Sequence, residues 1–447
     1  MDIIRQIEAA GIVGCGGAGF PTHRKLAGSF RYLIANGAEC EPLLRTDRYL
    51  MRHEAPALVR GLTALAEALG TERCVIAVKA RYHREIQALR RAVEEAGAPV
   101  ELHLLGNFYP AGDEQAVVYE VTGRAVPPGK LPAAVGAVVD NIATIFAVSQ
   151  ALEGRPLTEK YITVSGAVRR PVILRVPVGT SFLECIDGAG GPAEEDCRVV
   201  SGGPMMGKFL TKAQLERAVV TKTTSGILVL PAGGWHQRKE AVPVERMLRQ
   251  ARAACIQCAA CTQLCPRYLL GHPLEPHRIM RRLSSGTPLA QLLEEPDVRA
   301  AQLCCECGVC EVYACPMGLQ PRRINALVKG ELAGAGLRWQ GEGAAPRPER
   351  EYRKISPQRA AARMGLGRYA GAEPEELRVL TPRQVELPLQ MHIGAPCVPV
   401  VEEGARVRAG EAVALPPEGA LGAAIHASIT GRVLSVSDRI VLEAEAE

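Results

Sequence analysis

No apolar run in the 447-residue sequence reaches the roughly 18 residues that a membrane-spanning helix needs, so none is expected. The start, Met1-Asp-Ile-Ile-Arg-Gln-Ile-Glu8, lacks a basic region followed by an apolar one, and no secretory signal is expected. No block of lysine or arginine stands out, and the net charge is only +5. Nucleic acid is therefore not an expected partner. What the chain does hold is cysteine, fifteen in all, nine of them in short spacings between residues 255 and 315. That pattern suits a reducing compartment such as the cytoplasm, not a disulfide scaffold. Six others, Cys15, Cys40, Cys74, Cys185, Cys197 and Cys397, are scattered and read as buried thiols. Hydrophobic content of 47% and charged content of 23% are those of a globular protein. The length implies about two to four domains.

The run Cys255-Ile-Gln-Cys258-Ala-Ala-Cys261-Thr-Gln-Leu-Cys265-Pro266 fits C-x2-C-x2-C-x3-C-P, the bacterial spacing for [4Fe-4S] clusters. Three cysteines so spaced wrap one cluster, and in two-cluster proteins the fourth ligates the other. A second run, Cys304-Cys305-Glu-Cys307-Gly-Val-Cys310-Glu-Val-Tyr-Ala-Cys315-Pro316, departs twice. Its last gap is longer by one residue, and Cys305 is a spare thiol. The expected partition puts Cys255, Cys258, Cys261 and Cys315 on one cluster, and Cys265, Cys304, Cys307 and Cys310 on the second. Cys304 keeps the repeat better than Cys305, but the choice between them stays open. Zinc sites usually take their four ligands in two pairs; two sets of four, each ending in Cys-Pro, suit iron–sulfur better. Two adjacent clusters form a one-electron wire, so something must load it and something must receive from it.

Residues 1–13 read as a short amphipathic helix with Ile3, Ile4, Ile7 and Ala10 on one side. Two uses are open for it: a detachable targeting segment, or a cap on the domain that follows. Gly14-Cys15-Gly16-Gly17-Ala18-Gly19-Phe20 then satisfies G-x-G-x-x-G, but without the preceding strand of an ordinary dinucleotide turn. Glycines still let a backbone approach a phosphate, a helix start favours an anion, and Lys25 lies one turn further on. Strands near 32–36, 74–79 and 100–105 alternate with helices near 55–69, 82–96 and 112–121. That alternation predicts an α/β layer with a parallel sheet, which binds ligands at its strand ends. Short β-rich runs occupy 159–230. The 38 residues between Cys265 and Cys304 carry helical patterns. A Gly- and Pro-rich stretch at 339–350 reads as a linker, and a last β domain follows.

Four segments carry a resemblance. They are the glycine loop, Asn36-Gly-Ala-Glu39-Cys-Glu41-Pro42, Tyr109-Pro-Ala-Gly112-Asp113-Glu114 and Asp140-Asn141-Ile-Ala-Thr144. In this order they resemble the FMN- and NADH-binding subunit of respiratory complex I and its relative in the Rnf complex, RnfC. The resemblance implies FMN on the glycines Gly14, Gly16, Gly17 and Gly19, with Lys25, Asn36 and Asn141 in contact. It implies Glu39, Tyr109 and Gly112 in the same cofactor site, and Phe20 as an aromatic of the nicotinamide pocket. It implies NADH as substrate beside the catalytic acids Glu41, Asp113 and Glu114. Ala38 stands where the complex I motif has an acid, and Leu26 where it has an aromatic. Residues 159–230 resemble the β-grasp (SLBB) domain of the same families, with Ser201-Gly-Gly-Pro-Met-Met-Gly207 as one of its loops. The last domain resembles a lipoyl-type barrel-sandwich hybrid, but His426-Ala-Ser sits where a carrier lysine would be, so no swinging arm is expected. His426 itself reads as a packed or solvated histidine.

The expected fold is thus multidomain α/β and α+β: a Rossmann-like FMN-binding domain (1–155), β-grasp (156–235), an α-helical ferredoxin domain (240–335), a linker (336–375) and a barrel-sandwich hybrid (376–447). In RnfC the hybrid domain comes first; here it comes last. That order resembles the cobalamin reductases of the propanediol-utilisation microcompartment. The resemblance implies electrons passing from NADH through FMN and two [4Fe-4S] clusters to cobalamin. It implies a cob(I)alamin adenosyltransferase as partner, a shell protein as a further contact, and a place inside a microcompartment. An Rnf-like NADH:ferredoxin electron-transfer protein and a non-catalytic electron-transfer scaffold remain the alternatives.

Overall fold

The computed structural model describes residues 2–445. The first domain is built on four parallel strands, β1 (Tyr32–Gly37), β2 (Arg73–Lys79), β3 (Val100–Leu105) and β4 (Ala137–Asn141), in the order β3-β2-β1-β4. β1, β2 and β4 are almost wholly buried, as apolar runs covered on both faces must be. Helix Ala55–Leu69 ends at Gly70, whose φ of 60° is left-handed and closes the last turn. Two helices begin at the strand-end edge of the sheet, Glu114–Thr122 capped by the Asp113 carboxylate and Ile142–Leu152 capped by the Asn141 amide. Both caps are residues of the resemblance, so their first task is to start helices.

The N-terminal helix is shorter than expected, Ile3–Ala9. Ile3 and Ile7 are buried in the first domain's core with helices Ala55–Leu69 and Ile142–Leu152. This apolar stripe is spent on packing, so the segment is a cap and not a detachable signal.

The second domain adds β5 (Glu159–Gly166), β6 (Val172–Pro177), β7 (Cys197–Ser201), β8 (Lys208–Phe209) and β9 (Gly226–Pro231). They form a mixed sheet in the order β10-β6-β5-β9-β7-β8, and β10 is Leu377–Val379, from beyond the cluster region. The 38 residues after Cys265 are helical, chiefly Pro276–Ser284, which packs on Val244–Ala254 and Pro321–Gly334. The last domain holds β11 (Gln384–Pro388), β12 (Val398–Pro399), β13 (Arg406–Val407), β14 (Ala412–Leu415), β15 (Ile425–His426), β16 (Gly431–Val436) and β17 (Arg439–Ala444). These make two small sheets, β11-β17-β16-β13 and β12-β14-β15, around an apolar core.

Residues 336–375 are not the bare linker their composition suggests. They fold as a strap over the first domain, with helix Pro357–Arg363 and two short 3-10 turns. Arg350 and Lys354 hold Glu120 at 2.6 and 3.1 Å, and the Tyr109 N–H donates to the Ile355 carbonyl at 2.8 Å. Charge pairing outweighed the Gly/Pro signal.

One lysine ties three domains. Lys222 is fully buried and donates from Nζ to the carbonyl of Gly11 at 2.7 Å and to that of Ala424 at 2.5 Å. Burial pulls its pKa down to about 8, so it stays charged at neutral pH. His426 is packed nearby, and burial followed by the Lys222 charge holds it down to about 4. Lys222→Met orphans two buried carbonyls, at a cost of about 3 kcal/mol. The expected readout is a lower denaturant midpoint at unchanged slope; an unmoved midpoint contradicts the tie.

Candidate flavin and cluster site

A cavity of about 310 Å³ opens at the carboxyl ends of β1 and β4, within the usual range of small-molecule and cofactor sites, about 300–1,000 Å³. Its floor is set by short polar contacts. Asn36 Nδ2 donates to the Gly112 carbonyl at 2.9 Å, and the Gly112 N–H donates to Cys40 Sγ at 2.7 Å. Asn141 Oδ1 accepts from Ala143 N at 2.9 Å while its Nδ2 donates to Asp47 at 2.7 Å. An added Cβ on Gly16 would stand 2.6 Å from Asn141 Cγ, so only glycine leaves this edge open. Asp113, besides capping its helix, accepts from Arg267 of the cluster region at 2.8 Å.

The acids of the second segment are buried, not solvated. Glu39 accepts from the backbone of Asp47 and Arg48 at 2.9 and 3.3 Å. Burial, then the Asp47 charge, pushes it up to about 7. Burial likewise pushes Glu41 up to about 7, and its carboxylate accepts from Met205 N at 2.8 Å. The Ser201–Gly207 loop therefore closes over Glu41, and Gly203 is bare because a Cβ there would overlap that carboxylate. A carboxyl with a raised folded pKa weakens the fold once ionised. Its stability is whole below the unfolded value near 4.5 and is lost as pH rises to about 7. Flavin-free Glu39→Gln is therefore expected to be more stable than wild type at pH 8, with the gap closing toward pH 4.5. A gap that is equal at both pH values counts against this account.

The cysteines fall into two groups. Cys255, Cys258, Cys261 and Cys315 line one small cavity with Ile256, His277 and Met317. Cys265, Cys304, Cys305, Cys307 and Cys310 lie close enough to perturb one another's thiols. Gln257 and Ala259 take left-handed φ values of 54° and 59°; Glu306 and Gly308 take 56° and 79°. The two loops thus share one backbone path, in which Cys304 matches Cys255. Sulfur also accepts backbone N–H groups, Glu306 onto Cys304 at 3.4 Å and Leu319 onto Cys315 at 3.3 Å. Among the described residues no three metal-binding side chains converge closely enough for a single ion. The two groups meet differently with the flavin cavity: Cys305 and Cys307 form part of its wall, and Tyr109 Oη donates to the Cys307 carbonyl at 2.8 Å.

Comparison with known proteins accords with this layout. Family models match in four places: the Nuo51 FMN-binding domain at 7–150, the SLBB domain at 161–209, the 4Fe-4S dicluster domain at 254–320 and the RnfC barrel sandwich hybrid domain at 372–446. Cobalamin reductase PduS of Salmonella typhimurium (strain LT2) is 41% identical over 444 residues, covering 98% of this chain and 96% of that one. The chain belongs to the PduS cobalamin reductase family. The Citrobacter freundii PduS is 40% identical over 443 residues, covering 98% and 95%. The RnfC-type component of the ion-translocating oxidoreductase complex of Rhodobacter capsulatus is 39% identical over 291 residues, covering 64% of this chain and 52% of that one.

In this PduS-family chain, Gly16, Asn36, Glu39, Glu41 and Tyr109 line the flavin cavity, as do Gly112, Asp113, Glu114 and Asn141. Five named residues lie off its wall. Gly14 closes the loop by donating to the Phe20 carbonyl at 2.9 Å, and Phe20 is 39% exposed. Gly17 has open space around it, while Gly19 packs on Thr223 and His392. Lys25 is committed to Glu114 at 3.0 Å and Asp140 at 3.5 Å, behind the wall. The wall also includes Cys40, Asp47, Lys160, Tyr161, Met206 and Cys305, none of which sequence reasoning placed there. Cys305 alone carried a signal, as the thiol that broke the repeat.

Proposed function

We propose that this chain takes two electrons from NADH at the cavity and delivers them singly to cobalamin. One NADH, leaving as NAD⁺ and a proton, supplies the two electrons that carry cob(III)alamin through cob(II)alamin to cob(I)alamin. The observation that carries the reading is the shared wall: a cluster cysteine, Cys307, lines the flavin cavity and is hydrogen-bonded through its carbonyl to Tyr109.

The residues present fit the cofactors. Gly16 and Gly112 keep the cavity edge bare, and Asn36 and Asn141 offer amides on its floor. The eight cysteines divide as two sets of four, Cys255, Cys258, Cys261 and Cys315, then Cys265, Cys304, Cys307 and Cys310. Cys304 takes the ligand position because its loop repeats the left-handed residues of the first. When bound, FMN accepts a hydride's two electrons and gives them up one at a time, and [4Fe-4S] clusters carry single electrons. Tyr109, clamped by Ile355 and Cys307, holds the cavity against the second set of cysteines. Glu41, Asp113 and Glu114 shape the donor's side of the cavity, with Asp113 fixed by Arg267 and Glu114 by Lys25. The N–H groups on Cys304 and Cys315 raise the potentials of what those sulfurs hold. Among the described residues no helix is long and apolar enough to cross a membrane. A cob(I)alamin adenosyltransferase is the proposed receiver, inside a microcompartment whose shell protein is a further contact.

The test is anaerobic. Protein reconstituted with FMN and iron is expected to hold about eight iron and eight sulfide per chain. NADH is expected to bleach first the flavin and then the cluster absorbance, and hydroxocobalamin to be reduced. Iron near four, or stoichiometric zinc, counts against two clusters. Rapid ferredoxin reduction without cobalamin turnover moves the assignment to the Rnf-like reading, which the Rhodobacter relative keeps alive.

A further inference from the structure

The two groups of cysteines are not equivalent in where they lead. Cys307, in the second group, is on the flavin cavity wall and buried. The first group faces outward. Cys258 is exposed, and the apolar side chains beside it, Ile256 and Met317, are 61% and 45% exposed. Both side chains line the same small cavity as Cys255, Cys258, Cys261 and Cys315. An apolar pair beside a wire's outer end is costly to leave in water unless a partner covers it.

The rim is basic. Helix Val244–Ala254 runs directly into Cys255 and carries Arg246, Arg249 and Arg252 against a single acid, Glu245. His277 and Met280 of the neighbouring helix line the cavity, and Arg281 follows them on its exposed side. Arg252 reaches that helix through the Leu283 carbonyl at 3.4 Å, so the two basic helices meet at this mouth. Arg278 and Arg282 are neutralised by Glu275 and Glu295 at 2.9 and 3.2 Å. Arg246, Arg249 and Arg281 are exposed and have no carboxylate partner among the described residues. An apolar centre within a like-charged rim is the anatomy of a docking patch, and unpaired rim charge sets partner sign and encounter rate.

We propose that Ile256 and Met317, ringed by Arg246, Arg249 and Arg281, form the electron exit, and that its occupant is a protein with an acidic face around its own redox centre. This rests on the wire proposed above. It adds a direction: electrons enter past Tyr109 and Cys307 and leave past Cys258. The corrinoid, on this account, is met on the partner and not in a pocket of this chain.

The test uses a fluorescently labelled acidic [2Fe-2S] ferredoxin as probe and anisotropy as readout, so that binding is measured apart from turnover. Binding to the reconstituted protein is expected to weaken steeply with salt. The Arg249→Glu/Arg281→Glu double variant is expected to lose at least about tenfold in affinity at low ionic strength. Arg90→Glu, on the surface of the flavin domain, is expected to bind as wild type. Bleaching of the flavin by NADH is expected to be the same in all of them; its failure in wild type would implicate the donor assignment and leave the patch standing on the binding data. Salt-independent binding, or equal affinity in the double variant, overturns the proposal. So does loss of free hydroxocobalamin reduction in the double variant with ferredoxin binding intact, because the site would then dock the corrinoid itself.

Discussion

Cys307→Ser is expected to stop electrons between the cavity and the cobalamin while NADH still bleaches the flavin. Cys307 is buried, lines the cavity, and receives the Tyr109 hydroxyl on its carbonyl. Exchanging its sulfur for oxygen replaces a soft thiolate by a weak, hard ligand at the flavin-side cluster. Losses of about 10–100-fold already follow from disturbing groups that merely support metal ligands, so a ligand itself should cost at least about a hundredfold in cobalamin reduction. The neighbouring Cys305→Ser is the control. The shared backbone path assigns the ligand position to Cys304, so removing Cys305 should leave iron content whole. Flavin content and bleaching rate separate a cut wire from a misfolded chain. Cobalamin reduction at the wild-type rate in Cys307→Ser, with iron content intact, would remove this cysteine from the path.

Gly16→Val is expected to reduce bound flavin to about a tenth or less, with iron content unchanged. The nearest neighbour of an added Cβ is Asn141 at 2.6 Å. Asn141 cannot yield cheaply. Its oxygen caps the helix Ile142–Leu152 and its amide is spent on Asp47. The clash therefore costs either the cap, worth about 1 kcal/mol, or the edge of the cavity. Gly17→Ala is the contrast, because nothing stands within 4 Å of its added carbon. It should keep both flavin and stability. Equal flavin content in Gly16→Val and Gly17→Ala would show that the loop is a plain turn.

Much of this was legible in the chain itself, because the signals were local. Cluster cysteines declare themselves by spacing over a dozen residues, and alternating apolar runs declare a parallel sheet. What stayed hidden were relations across the chain. Glu39 and Glu41 read as acids at a strand end. Their burial became visible only with the backbone of Asp47, and with Met205, which lies 164 residues from Glu41. Lys160 and Tyr161 reach the cavity from the β-grasp domain, and no periodicity in β5 points there. The glycine loop was over-read. Gly19 is small because Thr223 and His392 press on it, which a phosphate-loop pattern does not foretell. The segment 336–375 was under-read, since the pairing of Arg350 and Lys354 with Glu120 cannot be seen from composition.

The central claim is that NADH-derived electrons cross this chain to yield cob(I)alamin. The last electron is the hard one, because cob(I)alamin is a strong reductant and each 59 mV of mismatch costs about tenfold in equilibrium. Trapping the product as it forms removes that obstacle. The direct measurement is therefore an anaerobic reaction of the reconstituted protein with NADH, hydroxocobalamin, ATP and a cob(I)alamin adenosyltransferase, followed by adenosylcobalamin absorbance. The account predicts one adenosylcobalamin formed per NADH consumed, dependent on this chain and abolished in Cys258→Ser with flavin bleaching preserved. NADH consumed without adenosylcobalamin, or adenosylcobalamin formed equally well by Cys258→Ser, would contradict it.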